Sequence, residues 1–299
     1  SFIIALLGGS RVQIGGPAGA FVVIIYGIVA TYGYNGLLTA TIMAGILLII
    51  MGLLKFGNII KYIPSSIING FSSGIAIVIF STQIKDFFGL EIDKVPSEFI
   101  EKMISYFESF HTFSPQSLLI SSVTIGIILL WPKINKKIPG TLIAVISTTV
   151  LVLLLKWDLP TIGSQFAALK AGFPVFLIPE INIDLIKTLL LPAVTIAILG
   201  GIESLLSAAV ADGMINDTHD SNTELVAQGT ANIVVAFFGG MPVTGALART
   251  SANVQNGGRT PVAGIIKSIV LLLIVLVFMP YIKLIPMAAL AGVLTIVAY

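Results

Sequence analysis

Cysteine is absent from the 299-residue chain. That removes disulfides, thiolate metal sites, iron–sulfur clusters and a cysteine nucleophile at once. Charge is scarce too: 10% of residues are Asp, Glu, Lys or Arg, against about a quarter in soluble domains. The formal net charge is only +2 and the basic residues are scattered between apolar runs, so no nucleic-acid surface is expected. No HExxH, phosphate loop or nucleophile motif occurs, so nothing points to an enzyme. The opening residues 1–7 are apolar but follow no basic region and precede no small-residue cleavage pattern, so they do not read as a signal peptide.

What is present is apolar. Hydrophobic residues make up 56% of the chain, and the mean hydropathy is +1.04. A hydrocarbon core of ~30 Å takes ~20 apolar residues per helix, so the length holds roughly ten spans. Punctuation by Gly, Pro, Asn and charge predicts the tail of one at 1–8, then 18–31, 36–54, 65–84, 117–131, 140–156, 186–206, 223–238, 244–255, 262–281 and 286–299. An all-α polytopic membrane protein is the expected fold class, with both chain ends cut within helices. Alternating the loops puts Arg11, Lys55, Lys61, the cluster Lys133, Lys136 and Lys137, and Arg259 on one side, predicted cytoplasmic, and the acid-rich stretch 85–114 opposite. Within that stretch, 97–110 carries Phe99, Ile100, Met103, Ile104 and Phe107 at helical spacing and predicts a surface amphipathic helix, with a lid as the functional alternative. Residues 178–188 are expected to lie along the membrane before the next span.

Two segments are short and interrupted: Gln13–Ile25 (QIGGPAGAFVVII) and Met241–Val254 (MPVTGALARTSANV). Non-helical backbone is costly in hydrocarbon unless protein or a watery cavity satisfies it. Pro lacks an N–H, fits the first turn of a helix and pushes the preceding residue towards extended geometry. Each segment therefore predicts an extended stretch leading into a helix. If those helices start at membrane depth, free N–H groups around Ala18–Phe21 and Gly245–Ala248 favour negative charge, which makes an anion site. Paired interrupted segments also point to a transporter built from inverted repeats. The structural alternative is a pair of kinked helices packing through small residues.

Arg249 lies one turn into the second helix. It either adds positive potential to the anion site or pairs structurally with a carboxylate or helix carbonyls. Glu203 stands in a long uncharged stretch, and an intramembrane carboxylate is a functional hypothesis by default. Desolvation favours the neutral form of a carboxyl group, so Glu203 is a candidate proton carrier, with structural pairing to Arg249 as the alternative. Ser204 and Ser207, near the same face, are candidate ligands if the coupling ion is sodium. In the polar stretch 212–224, His219 sits among Asp212, Asp217 and Asp220 with no second nearby His, so it reads as a solvated loop and no metal site is expected. Asp220, Ser221 and Asn222 are candidate N-caps of the next helix. His111 receives no role.

The runs GGSRVQIGGPAGAF (8–21), GGIESLLSAAVADG (200–213), HDSNTELVAQGTANI (219–233) and GGMPVTGALARTSANVQNGGRTPVAGI (239–265) resemble bacterial members of the sulfate permease (SulP) family of anion transporters. The likeness covers essentially the whole chain in order. It implies a seven-plus-seven inverted-repeat, uracil-permease-like fold with two strand-plus-half-helix segments, divided into a core domain that carries substrate and a gate domain. Core would be 1–54 and 186–285, and gate 65–156 and 286–299. The chain would start in the second segment and stop in the twelfth, incomplete at both ends and without the STAS domain. Pro17, Ala18, Gly19, Ala20 and Phe21 would line the substrate with Gly245, Ala246, Leu247, Ala248 and Arg249. Glu203, with Ser207, would bind the coupling ion, H+ or Na+, and no cofactor is implied.

The resemblance implies elevator-like secondary transport of sulfate, bicarbonate or a dicarboxylate. It also implies a multi-pass protein of the bacterial plasma membrane, homodimeric at full length, with a small anion and the lipid bilayer as partners. Glu203, where sodium-coupled relatives can carry Asp, favours proton symport over sodium-coupled bicarbonate symport, exchange or a channel. Ala18 and Ala248 replace hydroxyl residues of some relatives, leaving backbone N–H groups to do more. A nucleobase permease shares the fold, but the 245–249 motif offers no carboxylate to hydrogen-bond a ring.

Overall fold

The computed structural model describes residues 1–62, 65–92, 95–96, 98–135, 138–166, 172–173, 175–180 and 182–298. Lys136 and Lys137 of the basic cluster, Asp93, Lys94 and Ser97 of the acid-rich stretch, Ile181 and Tyr299 lie outside them, as do the side chains of Lys61 and Ala20. The elements are α1 (Phe2–Leu7), β1 (Gly15–Pro17), α2 (Val22–Leu53), α3 (Ser65–Phe88), α4 (Phe99–Glu108), α5 (Pro115–Ile134), α6 (Gly140–Leu155), α7 (Ile162–Gln165), α8 (Ile183–Ile215), α9 (Ser221–Phe237), β2 (Val243–Gly245), α10 (Leu247–Gln255), α11 (Val262–Ile282) and α12 (Met287–Ala298). Short 3-10 turns occupy Gly19–Phe21, Phe56–Tyr62 and Ser109–Thr112.

Among the described residues, four helices are long and apolar enough to cross a membrane: Ile24–Leu53, Pro115–Ile134, Ile183–Ile215 and Val262–Ile282. They differ in what surrounds them. The most apolar window of α2 is 61% buried, whereas that of α11 is 6% buried and exposes Ile266, Ile269, Val270, Leu271 and Leu273. An apolar exterior of this extent suits hydrocarbon, not water.

The chain divides into two compact units, Ser1–Ser65 with Phe173–Leu273, and Ser66–Gly172 with Ile274–Tyr299. In the first, α2 packs along α8 and α9 around Phe21, Ile28, Leu37, Leu48, Leu189, Ile196, Leu205 and Leu225. Close approach of α2 and α9 depends on Gly45 and Gly229: a Cβ on either would lie 2.7 or 2.5 Å from the other's carbonyl oxygen. Inside α2, Gly33 takes φ 68° and ψ −175°. A non-glycine residue strains there, so the element is two helices, 22–32 and 34–53, joined at a break. In the second unit α5, α6 and α12 pack together around Ile120, Val152, Leu159, Ala288 and Ala289, and Ser121 Oγ donates to the Ala288 carbonyl at 2.9 Å.

Three expectations are corrected. The span placed at 186–206 is α8, which runs 33 residues to Ile215. At 1.5 Å per residue that is about 50 Å, well beyond the ~30 Å hydrocarbon core, and it turns the start of the polar 212–224 stretch into helix. Asn216 ends it in the left-handed conformation, φ 54°. Residues 178–188 are not one segment preceding the span, because 183–188 already belong to α8. The Asn35 side chain donates to the Glu180 carbonyl at 2.8 Å and accepts from its N–H at 3.0 Å, and Asn182 caps α8 at 2.7 Å from Leu185 N. Glu224, grouped with the polar stretch, is fully buried, because α9 begins at Ser221 and turns that side chain inward. In α4, Phe99, Ile100, Ile104 and Phe107 are exposed while Lys102 and Tyr106 are buried, an apolar face turned outward.

Candidate functional site

The two interrupted segments meet. β1 pairs antiparallel with β2 in the register Gly15 to Gly245, Gly16 to Thr244 and Pro17 to Val243. Each three-residue strand leads into a helix: β1 through Ala18 and the turn Gly19–Phe21 into α2, β2 through Ala246 into α10. The helices leave opposite ends of the ladder, so the strand ends that feed them, Pro17 and Gly245, lie diagonally across it, roughly 8 Å apart from strand spacing and rise. Ala18 and Ala246, both extended, cap the two starts without any side-chain hydrogen bond. The first N–H groups of a helix have no intrahelical partner, and here no side chain supplies one. Two positive helix ends thus sit close together with donors to spare.

Alternation along an antiparallel pair turns the N–H and C=O of every second residue outward. Around this short ladder those outward groups are met by side chains. Asn232 on α9 accepts from Val243 N at 2.9 Å and donates to Val243 O at 2.8 Å, acting as a third strand. Ser204 on α8 accepts from Gly245 N at 3.0 Å and contacts Thr244 Oγ1 at 2.6 Å. Thr244 in turn donates to the Gly200 carbonyl at 2.9 Å, so Ser204 is the donor to Thr244. Gln13 donates to the Ser204 carbonyl at 2.6 Å. Ser207 donates to Thr250 Oγ1 at 3.0 Å, and the same oxygen accepts from Ile14 N.

Of the residues expected to line a ligand, Pro17, Gly19, Leu247, Ala248 and Arg249 are exposed and Ala18 is half-buried. Phe21 is 1% exposed, in the core, and Gly245 and Ala246 are turned inward; of Ala20 only the backbone is described. Arg249 reaches across the ladder and donates to the Pro17 carbonyl. It forms no ion pair with any described residue. Glu203 is half-buried, its Oε2 buried without a hydrogen-bond partner among the described residues. Ser207 is fully buried and already bonded to α10. His219 is held between Asp212 and, at 3.0 Å, Ser221.

Sequence reasoning missed three participants. Gln13 and Asn232 are polar residues in apolar surroundings, and nothing local says which backbone each serves. Lys267, on the most apolar span, donates to the Gly15 carbonyl at 2.9 Å and to Ser1 Oγ at 2.8 Å. A lone lysine in a membrane helix is itself a signal, and here it marks the site.

The fold and site define an integral membrane protein in which two short helices start from one pair of antiparallel strands. The chain belongs to the sulfate permease family, whose profile matches residues 1–299, and that family consists of transporters. It is 44% identical over 297 residues to a putative sulfate transporter, YvdB, of Bacillus subtilis, covering 99% of this chain and 56% of that one. It is 34% identical over 300 residues to the bicarbonate transporter BicA of a Synechocystis species, covering 98% and 52%. The chain thus spans about half the length of these curated relatives. The solved transmembrane domain of a cyanobacterial bicarbonate transporter BicA superposes with a TM-score of 0.85 at 31% identity, over 99% of this chain and 77% of that one. SLC26A9 superposes with a TM-score of 0.85 at 21% identity, over 100% and 51%, a likeness of fold alone.

Proposed function

We propose that this chain forms the transport-carrying part of a secondary transporter for a small anion, of the sulfate, bicarbonate or dicarboxylate type. The observation that carries the reading is the pair of helix starts at the β1–β2 ladder, uncapped by side chains and flanked by Arg249, to which no carboxylate among the described residues is bound. The names of the relatives, a putative sulfate transporter and a bicarbonate transporter, support an anion as cargo. In this reading the unit holding the ladder is the mobile core and the unit built on α5, α6 and α12 is the gate. The two halves are inverted repeats, transport is elevator-like, and the full-length protein is a homodimer in a bacterial plasma membrane. The backbone of Pro17 to Phe21 and of Gly245 to Arg249 forms the substrate site, with the Phe21 and Ala246 side chains buried behind it. Glu203, with a carboxylate oxygen that has no hydrogen-bond partner among the described residues, carries the coupling proton, and Ser207 holds the adjoining helix in place.

Uptake of labelled sulfate, bicarbonate and uracil into proteoliposomes holding the full-length protein tests this. Saturable uptake of at least one anion and none of uracil is expected, and uracil uptake without anion uptake would reject the reading. Glu203→Gln should lower pH-gradient-driven anion uptake at least about tenfold while exchange of anion for anion persists. Coupling that survives the substitution removes Glu203 from the mechanism.

A further inference from the structure

The outward carbonyls of β1 are gripped by two cations: Lys267 bonds Gly15 and Arg249 bonds Pro17, two residues further along the same strand edge. Gly16 lies between them. A Cβ on Gly16 would be 2.4 Å from Arg249 Nη1 and 3.5 Å from Lys267 Nζ, so the two cationic heads stand within about 6 Å of each other, a separation at which like charges repel appreciably outside bulk water. No acidic group forms an ion pair with either among the described residues. Two clustered cations with no carboxylate bound to either among the described residues leave the ladder in need of negative charge.

We infer that Lys267 sets the charge preference of the anion site, making it favour doubly charged oxyanions over singly charged ones. The inference rests on the anion-transport reading above and adds a residue and a selectivity to it. Lys267 does not touch the anion. It is a positioning charge, acting through the field it adds behind Gly16 and through its hold on the strand that leads into the first half-helix. Because the interaction of a fixed charge with a ligand scales with ligand charge, removing Lys267 costs a dianion twice the free energy it costs a monoanion. In binding constants, the factor for the dianion is therefore the square of the factor for the monoanion. Lost packing or a shifted strand would weaken both by one common factor.

The test is competition against uptake, by sulfate as dianion and nitrate as monoanion at constant ionic strength, in full-length wild type, Lys267→Met and Lys267→Arg. Lys267→Met should weaken nitrate about fivefold and sulfate about 25-fold, and Lys267→Arg should keep most of the wild-type preference. The same comparison by anion-dependent melting of purified protein covers a Met variant too poorly inserted for uptake. Equal factors for the two anions, unchanged discrimination in Lys267→Met, or a wild type that holds nitrate as tightly as sulfate would each overturn the inference. A wild type that takes up none of sulfate, nitrate, bicarbonate or a dicarboxylate would instead overturn the transport reading beneath it, whereas one that takes up bicarbonate and nitrate but no dianion overturns this inference alone.

Discussion

At the scale of single residues, the ladder tolerates no side chain where Gln13 passes. A Cβ on Gly245 would lie 1.9 Å from Gln13 Nε2 and 2.5 Å from its Cδ. Gly245→Ala must therefore expel Gln13 and break its bond to the Ser204 carbonyl. A buried polar group left unpaired costs about 1–3 kcal/mol, and Gly245→Ala should lower stability in detergent by that amount. Gly213→Ala is the control: nothing lies within 4 Å of a Cβ there, it is in α8, and Ala in a helix gains about 0.5–1 kcal/mol over Gly. Equal loss in the two variants would reject the packing argument. The glycine itself stood out in the sequence as part of a small-residue segment, but the neighbour that demands it did not. Gln13 sits more than 200 positions away, and only the strand register brings the two together.

Elements were easier to foresee where a local rule is strong. The Pro and Gly breaks at 15–17 and 239–242 mark strands leading into helices, because no neighbouring chain is needed to forbid helix there. The pairing of those strands with each other is non-local and left no local trace. Helix ends followed caps where the caps were read. Among the three candidates offered for α9, Asp220 holds the position, accepting from Asn222 N and Thr223 N at 2.9 and 3.1 Å, while Asn222 turns away to accept from Gly57 N. Hydrogen bonds from the Thr223 backbone and hydroxyl, then from Asn222, hold the exposed Asp220 carboxyl below the ordinary carboxylate range. Asp220→Ala should cost about 1 kcal/mol near neutral pH. The sign of its pH dependence follows from linkage. A carboxyl with a folded value below its unfolded value contributes fully above the unfolded value, about 3.9, and loses that contribution as pH falls through the folded one. The gap between wild type and Asp220→Ala should therefore shrink when unfolding is measured at pH 3 instead of pH 7. A gap that widens on acidification would show that some other group governs this helix start.

For the whole molecule, composition alone fixed the solvent: scarce charge and long apolar runs leave little but a bilayer. The grouping of its spans is a matter of long-range packing, which separates residues 1–65 and 173–273 from residues 66–172 and 274–299. This separation makes ligand binding and stability experimentally distinct. A ligand that binds only the folded state stabilises it by about 2.7 kcal/mol at a hundredfold excess over its dissociation constant. In the full-length protein, a transported anion should raise the melting temperature accordingly, and Arg249→Met should abolish that rise because it removes the cation beside both helix starts. Ser121→Ala, far from the ladder in sequence and confined to the other unit, deletes the bond to Ala288. It should lower the anion-free baseline by about 1 kcal/mol yet keep the full anion-dependent increment. If Arg249→Met retained the increment, or Ser121→Ala lost it, the anion would have to bind elsewhere than at the paired strands, since a charge removed from the site must be felt there before it is felt anywhere else.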